Sequence, residues 1–138
     1  MPRELKITHK QLIENALAEI ETLDFENANA LLDSDAVVFV DLRDPRELER
    51  EGKIPGALHA PRGMLEFWVD PTSPYFKDIF GEDKKFVFYC QSGWRSALAT
   101  KAVQDMGMDE VAHIGEGFRG WKDAGGATEK VAPRKPKA

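Results

Sequence analysis

Along the first third of the chain the spacing of apolar positions changes twice. Leu12, Ile13, Ala16, Leu17 and Ile20 recur at helical spacing behind a Thr8 and Gln11 capping pattern, which predicts a helix from about His9 to Glu21. A second, shorter helix is predicted over Phe25 to Leu32. At Val37-Val38-Phe39-Val40-Asp41-Leu42 the helical period gives way to a β-branched and aromatic run without alternation, the pattern of a strand covered on both faces. Asp44, Pro45 and Glu47 then supply an N-cap, a first-turn proline and an acid at the third position, opening a short helix that Gly52 stops.

Lys53 to Pro61 reads as a turn feeding a brief extended segment, and Met64 to Val69 and Tyr75 to Phe80 as further helical turns. Phe86 to Tyr89 is a second buried strand ending at Cys90, Ser96 to Met106 a helix with Gly107 as its C-cap, Val111 to Ile114 a third strand, and Phe118 to Ala124 a last short helix. Strands alternating with helices imply one α/β domain, a parallel sheet flanked by helices on both faces, with ligands bound beyond the strand C-termini. The expected organisation is an N-terminal helical segment packed on the domain over 1–34, a core over 35–126, and a disordered basic tail over 127–138.

Composition narrows the functional classes. With 19 Lys and Arg against 24 Asp and Glu, the net charge of −5 repels a polyanion, so nucleic acid is not an expected partner. No apolar run approaches the length of a membrane span or forms a signal-peptide core near the N-terminus, so no membrane partner is expected and the cytoplasm is the expected location. The single cysteine, Cys90, forbids an internal disulfide, and His9, His59, His113 and Cys90 lack metal-ligand spacing, so no metal site is predicted.

The question becomes what Cys90 does. A lone cysteine ending a strand can be an inert, buried small side chain. Here the strand runs into Cys90-Gln91-Ser92-Gly93-Trp94-Arg95-Ser96, a short loop opening a helix. Such a turn can curl its main-chain N–H groups inward at the positive end of the helix dipole, a cradle for an anion or a thiolate nucleophile. Gly93 supplies the conformational freedom and Arg95 a permanent charge.

Four motifs in order resemble the rhodanese-like sulfurtransferases, in their single-domain form: Asp41-Leu42-Arg43 ending a strand, Ile54-Pro55-Gly56-Ala57-Leu58-His59, the Cys90 to Ser96 loop, and Gly117-Phe118-Arg119-Gly120-Trp121. The resemblance covers roughly Val37 to Gly126 and implies a parallel sheet of about five strands. It further implies that Cys90 takes a sulfane sulfur from a small anionic donor such as thiosulfate, holds it as a persulfide, and passes it to cyanide, a thiol or a protein acceptor, without a cofactor. By the same resemblance the main chain of Gln91 to Ser96 cradles the sulfur, Arg95 helps hold the donor, and Trp94 shapes the entrance or serves as a packed anchor. Arg43 and Asp41 line or brace the pocket or form a structural ion pair, and His59 is read as structural. The chain departs from the family pattern at Lys53, at Glu116, and in its neutral Gln91 and Ser92, which leaves the donor open.

The rival readings are a regulatory or sulfur-carrying module that binds a protein, and a phosphatase of the cysteine-arginine loop type. The phosphatase pattern has five residues between its cysteine and arginine, whereas four separate Cys90 from Arg95. Gly115-Glu116-Gly117-Phe118-Arg119-Gly120 matches a dinucleotide-binding pattern in letters only, since the helix, strand and acidic residue such a site needs do not follow. It is read instead as a glycine-rich turn that packs Phe118 and Trp121 into the core.

Overall fold

The computed structural model describes residues 2–134. Its elements are α1 (His9–Leu17), β1 (Glu21–Leu23), α2 (Phe25–Ala30), β2 (Val37–Asp41), α3 (Pro45–Glu51), β3 (Leu58–His59), α4 (Leu65–Val69), β4 (Lys85–Tyr89), α5 (Trp94–Asp105), β5 (Val111–Ile114) and α6 (Gly117–Asp123). Single turns of 3-10 helix at Arg62–Met64 and Asp78–Gly81 fill two of the connections.

The five strands form one parallel sheet in the order β1-β5-β4-β2-β3. Both expected central strands sit in the middle, and β4 shows why they lack alternation. Phe86 and Phe88 face the layer of α4 and α5 with Leu65, Ala99 and Val103, while Val87 and Tyr89 face the opposite layer with Ala28, Phe118 and Trp121. Every second residue therefore enters a different core, and all four are buried.

The chain runs from β2 outward to the edge strand β3, then returns across the sheet to β4 and continues to β5 on the other side. The direction of winding thus reverses between β2 and β4, the crevice at which open parallel sheets place ligands. The loops carrying Arg43 and Cys90 leave the sheet at this crevice.

Both capping patterns form: Gln11 N–H donates to Thr8 Oγ1 at 3.2 Å, and Asp44 N–H to Glu47 Oε1 at 3.2 Å. The first helix ends earlier than its periodicity suggests. The chain leaves α1 at Ala18, and Glu21, Thr22 and Leu23 pair with Ala112, His113 and Ile114 as an edge strand. Three residues are too few to show a strand period, and their partner lies far along the sequence. α1 packs Ile13 and Ala16 against Ala97 of α5.

Of the segment beyond 126, residues 127–134 run over α3 and the turn after it: Lys53 and Glu129 bond main chain to main chain, and Arg134 meets Glu49. Lys135 to Ala138, the end of the expected basic tail, lie outside the described residues. No described helix is long and apolar enough to cross a membrane.

Candidate active site

Arg43 follows β2 and has no solvent exposure. Its guanidinium donates to Asp41 through Nε at 3.0 Å and Nη2 at 2.7 Å, to the Gly52 carbonyl at 2.7 Å, and to Gln91 Oε1 at 3.1 Å. Phe118 lies under it, 4.2 Å from guanidinium carbon to ring centroid. A buried ion pair persists only when its remaining donors are satisfied, and these are. Arg43, expected from sequence to line or brace the pocket or to form an ion pair with Asp41, meets the Cys90 loop from behind through Gln91. His59 holds the same turn, its Nε2 2.6 Å from the Arg43 carbonyl. Below them the Tyr89 hydroxyl accepts the Ile54 N–H at 3.1 Å, and burial pushes its phenol well above the ordinary range.

The loop after β4 curls around one sulfur atom. Gly93 N–H donates to Cys90 Sγ at 3.2 Å and Ser96 N–H at 3.4 Å, with Ser96 Oγ 3.6 Å away. Cys90 itself is fully buried, whereas Trp94 at the rim is largely exposed, its ring 5.2 Å from that of His9 on α1. Two of the six amides read as a cradle, those of Gly93 and Ser96, thus bond the sulfur.

Gly93 makes the curl possible. Its φ is +97°, and a Cβ there would stand 2.3 Å from the Gly115 carbonyl oxygen. Its neighbour in space, the turn from β5 into α6, closes the loop from the other side. Phe118 N–H donates to the Cys90 carbonyl at 2.8 Å and Arg119 N–H to the Gln91 carbonyl at 3.1 Å. At φ +66°, Gly117 comes so close to these carbonyls that a Cβ would lie 2.5 Å from Gln91 oxygen. The glycine pattern of residues 115–120 packs Phe118 and Trp121 into the core, as read from sequence, and also seats the Cys90 loop.

Arg95 is ion-paired. Its Nη1 and Nη2 donate to the two carboxylate oxygens of Glu47 at 2.8 and 3.0 Å, and this pairing holds the Glu47 carboxyl below its ordinary range. Sequence reading placed Glu47 only in a helix cap, and its second partner lies 48 positions away. A further group was not assigned to the site: His113 in β5, buried, with Nδ1 2.9 Å from Ser96 Oγ and Nε2 3.1 Å from Thr22 Oγ1. Burial lowers its imidazole to about 4, so it is neutral at pH 7. Among the described residues no cluster of three or more His, Cys, Asp or Glu side chains is arranged to hold a metal ion.

A strand-loop-helix turn that aims main-chain donors at one cysteine, at the winding reversal of a parallel sheet, defines an α/β domain with a cysteine-centred anion loop. The family is more specific. The profile of the rhodanese-like domain matches residues 24–124, and the chain belongs to that family.

Human thiosulfate:glutathione sulfurtransferase is 29% identical over 111 residues, covering 76% of this chain and 96% of that protein. The mouse thiosulfate sulfurtransferase/rhodanese-like domain-containing protein 3 is 26% identical over 102 residues, 70% of this chain but less than two thirds, 65%, of that protein. The tRNA uridine(34) hydroxylase of Cronobacter sakazakii is 34% identical over 102 residues, and there the match spans 71% of this chain and 27% of the relative. Among solved structures, a Rhodopseudomonas palustris protein of unknown function, described as a possible tyrosine phosphatase, superposes with a TM-score of 0.90 at 57% identity, covering 94% of this chain and 99% of that one. A thiosulfate sulfurtransferase from Pseudomonas aeruginosa superposes with a TM-score of 0.74 at 26% identity over 93% of this chain and 24% of its own.

Proposed function

We propose that the protein is a sulfurtransferase in which Cys90 carries the sulfur. The Cys90 thiolate attacks the outer sulfur of a sulfane donor; with thiosulfate, the S–S bond breaks and sulfite leaves with the electron pair, giving a Cys90 persulfide. An acceptor such as cyanide or a thiolate then attacks the terminal sulfur, forming thiocyanate or a new persulfide and returning the Cys90 thiolate. Both steps balance on the thiolate, donor and acceptor alone.

The observation that carries this reading is the pair of N–H donors, from Gly93 and Ser96, aimed at Cys90 Sγ. Such donors stabilise negative charge on the sulfur before attack and after each transfer. Gln91, Ser92 and Trp94 form the rim at which donor and acceptor meet the loop. Arg95 contacts an anionic donor while sharing its guanidinium with Glu47. Asp41, Arg43 and His59 brace the turn behind Gln91.

The phosphatase reading is kept because of the description attached to the Rhodopseudomonas palustris protein. Loop size argues against it. Phosphate presents three oxygens to a cradle, whereas this loop has four residues between Cys90 and Arg95 and turns the arginine onto a carboxylate.

The test is intact mass after incubation with thiosulfate, then after cyanide, with p-nitrophenyl phosphate hydrolysis measured on the same sample. The expected result is the gain of one sulfur atom, its loss to cyanide as thiocyanate, and neither event in Cys90→Ser. Phosphate release that depends on Cys90, with no sulfur gained from thiosulfate or from a persulfide donor, would overturn the proposal.

A further inference from the structure

Cys90 Sγ is the front end of a hydrogen-bonded chain that leaves the loop and crosses two strands. Ser96 Oγ lies 3.6 Å from Sγ and 2.9 Å from His113 Nδ1, and His113 Nε2 lies 3.1 Å from Thr22 Oγ1. The chain joins the first turn of α5, the middle of β5 and the edge strand β1, where Thr22 is the register partner of His113. The other three residues of β5, Val111, Ala112 and Ile114, are apolar and buried. An imidazole among them needs two polar partners, and the two it has connect the sheet edge to the sulfur.

Counting protons gives the chain a direction. A neutral imidazole has one N–H and one acceptor nitrogen. The 3.2 Å contact of Ser96 Oγ with the Gly93 carbonyl can only be a donation and uses the one serine proton, so the ring proton lies on Nδ1, facing Ser96 Oγ, and Thr22 donates to Nε2. Ser96 thus accepts from His113 and, at 3.6 Å, from the Cys90 thiol; once the thiol ionises, Sγ no longer donates and becomes, with the Gly93 carbonyl, a second acceptor for the serine proton. A charged sulfur is the stronger acceptor, so the hydroxyl turns to it as the thiolate forms and adds a third donor to the two amides. In the opposite tautomer Nδ1 takes the Ser96 proton and the sulfur loses that donor.

We infer that His113 is a positioning residue, which acts through Ser96 by fixing the serine hydroxyl as a donor to the Cys90 thiolate. This rests on the reading that Cys90 reacts as a thiolate. The other charged or titratable groups around the loop are Arg95 with Glu47, Arg43 with Asp41, Glu51, which accepts from Gln91 Nε2 at 3.2 Å, His59 on the turn behind, Tyr89 beneath them, Arg119 and Lys122 on α6, and His9 beside Trp94. None belongs to the Ser96, His113 and Thr22 chain.

The experiment is the pH dependence of Cys90 alkylation by iodoacetamide, a readout of thiolate that needs no turnover. Ser96→Ala and His113→Leu should each raise the midpoint by about one pH unit, the effect of one hydrogen bond to a charged group. The double variant should go no higher than either single one, because both break the same chain. His113→Asn, whose amide nitrogen stands where Nδ1 does, should restore the midpoint. His113→Gln, whose amide reaches the Nε2 position, should not.

The contrast of the Asn and Gln variants decides the matter if His113→Leu does not fold. Midpoints that coincide with wild type in Ser96→Ala, or that move equally in the Asn and Gln variants, would overturn the role of His113. Sulfur loading measured on the same variants separates the two ideas: shifted midpoints with no sulfur uptake in any protein would remove the sulfurtransferase reading and leave the positioning chain standing.

Discussion

Acid should destabilise this protein through one buried ring. Folding lowers the His113 imidazole from 6.5 to about 4, because burial disfavours its charged form. Between these values the unfolded chain binds a proton that the native protein does not, so stability falls as pH drops through the window and is fully retained above it. The interval of 2.5 units, at about 1.36 kcal/mol each, amounts to about 3 kcal/mol lost between pH 6.5 and pH 4.

Urea unfolding of wild type and His113→Asn across this range isolates the effect, since the carboxylates titrate in both. Whatever the two stabilities at pH 7, that of wild type relative to the variant should fall by about 3 kcal/mol between pH 6.5 and pH 4. A His113 ring resonance that stays at its neutral position above about pH 5 would agree. Parallel stability curves, or a resonance that titrates near 6.5, would refute the reasoning.

Three other perturbations address the loop. Gly93→Ala places a Cβ 2.3 Å from the Gly115 carbonyl at a φ of +97°, and should cost about 2 to 4 kcal/mol in denaturant unfolding and weaken sulfur loading by moving an amide off Sγ. Arg43→Leu leaves Asp41 charged and buried without its partner, and should cost about 3 to 5 kcal/mol, measured by thermal unfolding. Glu47→Gln removes the carboxylate that holds Arg95, so the KM for thiosulfate should fall while kcat changes less, as steady-state kinetics would show.

What could be read from the sequence is what is local. The buried strands β2 and β4 declare themselves by runs such as Phe86 to Tyr89, and the starts of α1 and α3 by capping pairs three residues apart. The Cys90 loop is legible for the same reason, since cysteine, glycine, arginine and the helix start fall within seven consecutive residues. The edge strand β1 is not, because Glu21 to Leu23 acquires its conformation by pairing with β5 across the fold. The same distance hides the partners of the loop. Glu47 reaches Arg95 across 48 positions and Thr22 reaches His113 across 91, and no spacing rule joins residues whose proximity only the sheet order creates. The sequence leaves Arg43 open between a pocket contact and an ion pair with Asp41; in the fold its guanidinium is buried and its five hydrogen bonds all go to protein oxygens.

The edge strand also bears on where this domain begins. The family profile starts at residue 24, one position after β1 ends, so a truncation made at that boundary would keep every residue of the Cys90 loop. It would also delete Thr22 and uncover the flank of β5, leaving His113 Nε2 open to water in place of a fixed hydroxyl. The same cut would remove α1 and its packing on Ala97, so a Thr22→Val substitution in the full chain is the cleaner probe: thiolate formation impaired by it would place the functional limit of the domain N-terminal to the start of the family profile.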